Sequence, residues 1–380
     1  MSNPQASISL IALGDLAFNA RYHQLLDRHG PEYPLQDVQP LWQSADLRLG
    51  NLESPLTVEP RATPIKLTLR GSLRTPETLN FAGIDCVSLA NNHMMDFGPS
   101  GLLETCARLD DAGIAHVGAG ENEHEASEPA ELESNGSKVG VLAYCDVQQI
   151  SQLYAAAGQA GVSRLQLERC LADVRNIRDH VDWLVVQLHW GVEMSRLPTP
   201  EQRNLARQLV DAGVDCILGH HPHVVQPCES IDGVPVAYSL GDFTFSSTYW
   251  QGTKPDSDFL GLFCVSPLSR ETGWLKVRLS NDEEASSEFQ PAYLGRDLVV
   301  REDNSATRRE SWHALCRRLA LPEYEQEVAS ENKLAKSRDL WRQNGKKLTR
   351  RIQLKLLQWG CLPGTYVEPI GLGWRDCYTK

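Results

Sequence analysis

The feature that most constrains this chain is a repeating unit. Short runs of β-forming residues end in glycine, asparagine or histidine and alternate with helical stretches through the first 245 residues. Such alternation builds a helix-covered sheet, which places the chain in the α/β class. Ile8 to Leu13 precedes Gly14-Asp15, Asp46 to Leu49 precedes Gly50-Asn51-Leu52-Glu53, and Asp85 to Leu89 precedes Ala90-Asn91-Asn92-His93. Farther on, Trp183 to Leu188 leads into His189-Trp190-Gly191, Asp215 to Leu218 into Gly219-His220-His221-Pro222-His223, and Val234 to Leu240 into Gly241-Asp242. The spacing predicts helices at Ser100 to Ala112, Gln166 to His180 and Thr199 to Ala212, the last opened by Thr199-Pro200-Glu201. From Phe259 to Leu294 the pattern is hairpin-like, with Leu260 to Val265 and Trp274 to Leu279 flanking turn residues.

Charge divides the chain in two. The net charge of −12 over 380 residues argues against a nucleic-acid partner, which needs clustered Lys and Arg. Residues 301–360 carry 14 Lys and Arg against 8 Asp and Glu, so the first 300 residues hold about −18. We therefore expect a main domain over 1–300 and a basic helical extension over 301–380. Leu348, Ile352 and Leu356, interleaved with Lys346, Lys347, Arg350, Arg351 and Lys355, have the spacing of a basic amphipathic helix. Such a helix could rest on an anionic membrane or a synthase partner, or simply pack against the acidic main domain. The ten cysteines are scattered singly from Cys86 to Cys377 and read as reduced thiols. With no basic-apolar leader at the start and no apolar run of ~20 residues, the expectation is a cytoplasmic protein.

Ligands of open α/β sheets bind beyond the carboxyl ends of the strands. Here those ends carry Asp15, Glu53, Asn92, His189, His221 and His223, all oxygen or nitrogen donors. A mixed carboxylate, amide and imidazole set suits Mn, Fe or Zn rather than a thiolate cage. Taken singly, each residue also has an ordinary structural reading: a Gly-Asp turn, an Asn-Leu-Glu cap, a satisfied core histidine. His221-Pro222-His223 is the most telling piece, because imidazoles two apart on an extended segment point the same way. By the same alternation His220 should turn away. Arg21, Lys66, Arg70 and Arg74 could meet a phosphate or carboxylate, though each also reads as a surface charge.

Taken in order, Gly14-Asp15, Asn51-Leu52-Glu53, Ser88 to His93 with Asp96 and Gly98, His189-Trp190-Gly191 with Glu193, Gly219 to Gln226, and Tyr238 to Phe243 resemble the motif set of the CapA family. This is the capsule-synthesis or poly-γ-glutamate-synthesis group within the metallophosphatase-like, or calcineurin-like, superfamily. The resemblance covers roughly residues 8–295 and leaves the last 80 untouched. It implies a four-layer αββα sandwich of the metallo-dependent phosphatase type with one or two divalent ions. In that frame Asp15 and His223 serve one ion, Glu53 bridges, and Asn92, His189 and His221 serve the second. His93, with Asp96, stands as the acid that protonates a leaving oxygen, while Asn51 and Glu193 face substrate. The implied activity is hydrolysis, by metal-bound hydroxide, of a phosphoester or γ-glutamyl amide in an anionic polymer or its precursor. The alternative is a non-catalytic assembly or polyanion-binding factor for a polymer synthase. Two departures stand out. The Asp-x-His pattern is here Asp15-Leu16-Ala17, and Asp242 replaces the family's usual Asn, where the extra carboxylate either alters charge near the site or simply caps the following segment, the second being the expected reading.

Overall fold

The computed structural model describes residues 7–60, 62, 67–150, 152–251, 260–263, 265–343 and 367–368. In the first sheet Ser7–Leu16 lies beside Leu47–Leu52, followed by Cys86–Ser88 and Ala115–Val117, all parallel. On its other side Glu271–Ser280, Ser286–Leu294 and Val300–Glu302 continue antiparallel. The second sheet runs Cys228–Ile231, Val234–Ala237, Cys216–His220, Trp183–His189, Ser137–Cys145 and Ala130–Ser134.

Strand periodicity explains the layering. Val139, Val141, Ala143 and Cys145 join one apolar core with Leu13, Leu49 and Val87 of the first sheet. Leu142 and Tyr144, one residue out of phase, join a second core with Val186 and Leu188. That second core is closed by Cys170, Val174 and Ile177 of the Leu167–Arg178 helix and by Ala206 and Leu209 of the Pro200–Asp211 helix. On the first sheet, Leu79 and Ala82 of Thr75–Ala82 and Leu102 and Leu109 of Gly98–Asp111 pack likewise. Helices outside and two sheets inside make the four-layer αββα sandwich. Each fully buried aliphatic side chain contributes roughly 1.5–3 kcal/mol.

The three expected helices form within two residues of their predicted ends. Pro200–Asp211 starts on a complete capping box, in which the Thr199 hydroxyl accepts from the Gln202 amide and the Gln202 side chain accepts from the Thr199 amide. The expected hairpin of Leu260 to Val265 with Trp274 to Leu279 does not form. Leu260–Phe263 pairs with Thr248–Gln251 in a small separate sheet, while Glu271–Ser280 pairs with Ser7–Leu16 and Ser286–Leu294. The reason is burial: Trp274, Leu275, Val277 and Leu279 belong to the central core, with Trp274 edge-on to Trp42 at 5.6 Å.

Beyond Val300–Glu302 come the helices Ala306–Arg317 and Tyr324–Gln343. Leu315, Leu319, Tyr324 and Val328 extend the outer core of the second sheet. The expected basic helix around Leu348, Ile352 and Leu356 lies outside the described residues. Among the described residues, no helix is long and apolar enough to cross a membrane.

Candidate metal centre

Sheet register brings the polar tips together. Asp15 lies opposite Asn51 on one side and Asp242 on the other, and His189 lies opposite His220. The approach is close enough to demand glycine: a Cβ on Gly14 would stand 2.0 Å from the Gly241 carbonyl oxygen, which accepts the Asp15 amide.

Asp15 sits at the bottom, fully buried, accepting from Asn51 Nδ2 at 2.8 Å and from the His221 amide at 3.2 Å. The Asn51 carbonyl in turn accepts from Asn91 Nδ2 at 3.1 Å. Glu53, also fully buried, faces His189 Nε2 at 3.8 Å and His223 Nε2 at 3.7 Å. Asn92 Oδ1 is 2.8 Å from His189 Nε2. His223 Nδ1 is 2.7 Å from Asp242 Oδ1, and the His221 ring lies between those of His189 and His223, at centroid distances of 4.9 and 5.8 Å. Beside this group, His93 Nδ1 is 2.7 Å from Asp96 Oδ2, which also accepts the Leu69 amide.

The structure changes three local readings. His221 and His223 do not sit on an extended segment: their φ values are 96° and 58°, a left-handed backbone uncommon outside glycine. Strain of this kind concentrates at functional sites. With alternation broken at His221, His220 keeps the orientation of His189 and turns inward, placing Nδ1 3.3 Å from Asp15 Oδ1 and Nε2 3.2 Å from Gln187. Asp242 is no surface cap but a buried partner of His223. Its signal was present in the sequence, since Gly241-Asp242 repeats the Gly14-Asp15 tip. The histidine missing after Asp15 leaves Ala17, which packs in an apolar cluster with Leu69, Phe245 and Val265.

The candidate anion-binding arginines are engaged elsewhere. Arg70 is buried, donates to the Thr57 and Glu59 carbonyls and stacks on Phe97. Arg74 pairs with Glu77, and Arg21 reaches the Arg296 carbonyl. Lys66 lies outside the described residues.

Burial alone would raise the Asp15 pKa, but the His220 hydrogen bond and the charges of His220, His189 and His223 outweigh it and hold Asp15 below the usual carboxylate range. Burial pushes His221 down to about 4, with His223 and His93 adding to the effect against Glu193 and Asp15. Burial also holds His189 well below the ordinary value. Asp15 is thus held toward its ionised form and His189 and His221 toward their neutral forms, the states in which a carboxylate and an imidazole ligate a cation. Among the described residues, two groups offer ligand atoms within 4.8 Å of one another: Glu193, His221 and His223, and Asp15, His223 and Asp242. His221 Nδ1 is buried with no hydrogen-bond partner. These residues fit a divalent ion.

The fold and site define an α/β protein of four-layer αββα type that gathers carboxylates, amides and imidazoles at the strand tips of both sheets. Residues 9–247 match the family described as bacterial capsule synthesis protein PGA_cap, and the chain belongs to that family. It is 31% identical over 303 residues to the capsule biosynthesis protein CapA of Bacillus anthracis, covering 78% of this chain and 72% of that protein. The PGA biosynthesis protein CapA of Bacillus subtilis strain 168 is 30% identical over 250 residues, 65% of each chain. Among solved structures, a putative 5'-nucleotidase from Staphylococcus aureus aligns at 13% identity over 87% of this chain and 58% of that one, with a TM-score of 0.45.

Proposed function

We propose that this chain is a metal-dependent hydrolase that cleaves a phosphoester or a γ-glutamyl amide in an anionic polymer or its precursor. The observation that carries the proposal is the convergence, from both sheets, of buried carboxylates on buried histidines, one of which, His221, keeps an unpartnered ring nitrogen. The names of the relatives, capsule and PGA biosynthesis, support the polymer context.

In this reading Asp15, Glu53, Asn92, His189, His221 and His223 hold one or two ions of Mn, Fe or Zn. When bound, such ions supply Lewis acidity and lower the pKa of coordinated water toward 7. The protein's own residues do the rest. Asn51 fixes Asp15 through its amide, so it acts behind the ligands rather than on substrate. The Asp242 carboxylate takes the Nδ1 proton of His223 as a hydrogen bond and leaves Nε2 facing Glu53. Asp96 Oδ2 holds the His93 ring at Nδ1, and a proton carried on that ring would be handed to a leaving oxygen or nitrogen.

Elemental analysis of the purified protein, joined to a screen of phosphoester and γ-glutamyl substrates, tests this. One or two equivalents of a transition metal with turnover of either class supports it. Metal-free protein with full function overturns it, and cellular function that survives both His93→Ala and metal loss points instead to an assembly factor.

A further inference from the structure

Glu193 stands in a loop whose backbone is unusual. Met194, the next residue, has φ 61°, a left-handed conformation that costs a side-chain-bearing residue roughly 1–2 kcal/mol and persists only when its surroundings enforce it. From the inside, the Met194 amide donates to the Pro222 carbonyl at 2.9 Å, tying the loop to the His221-Pro222-His223 segment. From the outside, the constraint comes from the Tyr324–Gln343 helix, which lies beyond the residues matched by the family model. Arg338 Nη1 donates to the Met194 carbonyl at 3.1 Å and to Glu331 Oε1 at 2.5 Å. The same Glu331 oxygen accepts the Arg196 amide at 3.1 Å. Glu331 is only 4% exposed, and Ala335, one turn along, packs against Met194 and Val224. Farther along the loop, the Tyr324 hydroxyl donates to the Pro198 carbonyl at 2.5 Å.

The loop is therefore pinned to one helix at the carbonyl of residue 194, the amide of residue 196 and the carbonyl of residue 198. The Arg338–Glu331 pair, with Glu331 buried and Arg338 half-buried, is weak evidence for stability, because taking the Glu331 charge out of water offsets much of the attraction. Its position explains it better. The Glu193 carboxylate lies within 4.8 Å of ring nitrogens of His221 and His223, and the left-handed turn at Met194 follows it directly.

We infer that Arg338 and Glu331 are positioning residues: through the Met194 and Arg196 backbone they hold Glu193 at the metal centre. The C-terminal helix is thereby a structural part of the site. This rests on the reading of the pocket as a metal centre, and the test separates the two. The full chain is stripped of metal and titrated with Mn²⁺ by calorimetry. Wild-type protein that takes up no Mn²⁺ overturns the metal reading and the inference with it. Given wild-type binding, Glu193→Gln and Arg338→Ala should each weaken affinity about tenfold, the lower end of what outer ligand-supporting groups contribute. Arg338→Lys, which keeps a donor for Met194 and a charge for Glu331, should recover most of the loss.

The decisive measurement is the double variant. If Arg338 acts through Glu193, Arg338→Ala in the Glu193→Gln background brings no further loss. Losses that multiply, or a Glu193→Gln protein that binds like wild type, overturn the inference. Should Arg338→Ala fail to fold by thermal melting, Glu331→Gln takes its place in the same cycle. It preserves shape and an acceptor oxygen, and it should show a smaller loss that likewise vanishes beside Glu193→Gln.

Discussion

The two sheets bring different chemistry to one pocket. The first supplies oxygen: Asp15, Asn51, Glu53, Asn92 and Asp242 all stand at or just past its strand tips. The second supplies nitrogen: His189, His220, His221 and His223 follow its two central strands. Neither half is stable in its observed state alone. A buried carboxylate group with no facing donors would take up protons, and a histidine cluster with no facing anions would lack any charge to balance a cation. Joining them holds Asp15 toward its ionised form and His189 and His221 toward their neutral forms.

The largest effect should follow from emptying the nitrogen half. His221→Ala with His223→Ala removes a member of each candidate ligand group and should abolish both metal content, read by elemental analysis, and turnover. Retained metal at wild-type stoichiometry would mean that the oxygen half binds unaided, and the division of labour would fail. His93 makes the contrasting case, because it follows a strand of the first sheet yet is paired with Asp96 rather than with the ligand carboxylates. His93→Ala should lower kcat by roughly 10²–10⁴-fold while metal content stays at the wild-type value. Loss of metal in that variant would move His93 into the ligand set.

Acid should separate the halves in the metal-free protein. The folded-state pKa of His221, about 4, lies below its ordinary 6.5, so its contribution to stability is complete above pH ~6.5 and is lost as pH falls toward 4. A shift of this size corresponds to about 3 kcal/mol. His189, also depressed, acts in the same direction. Asp15 is depressed too, but its contribution is lost only below its unfolded value of 3.8, so the nitrogen half fails first. Urea unfolding of stripped protein at pH 7.5, 5.5 and 4 checks this. A stability that stays flat down to pH 4 would contradict it.

How much of this was legible in the sequence depended on distance along the chain. The strand tips were readable because Gly-Asp and Asn-Asn-His after a β-forming run satisfy neither strand nor helix preferences, and the Thr199 cap was readable because its partner is three residues away. The six-motif resemblance, which depends on order rather than contact, led to the family that the comparison then established. Residues fixed by long-range geometry were misjudged. His220 defied alternation because the turn at His221 is left-handed, and within the hairpin-like stretch the Trp274 strand pairs with Ser286–Leu294 and the distant Ser7–Leu16 rather than with Leu260–Phe263. Arg70 looked like a surface charge because the carbonyls that bury it lie 11 and 13 residues upstream in a loop with no regular period. The contacts of Arg338 with Met194, 144 residues apart, leave no local trace at all.

The finest probe of the two-sheet comparison is Asp242, whose carboxylate stands on the first sheet 2.7 Å from Nδ1 of His223 on the second. Asp242→Asn keeps an acceptor for His223 Nδ1 in nearly the same shape and removes only the charge. If Asp242 merely orients the ring, metal affinity should be unchanged. If its charge raises the basicity of His223 and offsets the ion, affinity should fall about tenfold with little change in melting temperature of the stripped protein. We expect the second result, because Asp242 is fully buried and Asp15 Oδ2 stands a further 3.8 Å from the same ring nitrogen. Two carboxylates around one imidazole are hard to rationalise by orientation alone, which a single acceptor would provide. An Asn variant that binds metal as tightly as wild type would reduce Asp242 to a hinge pin and leave Asp15 and Glu53 as the charge of the oxygen half.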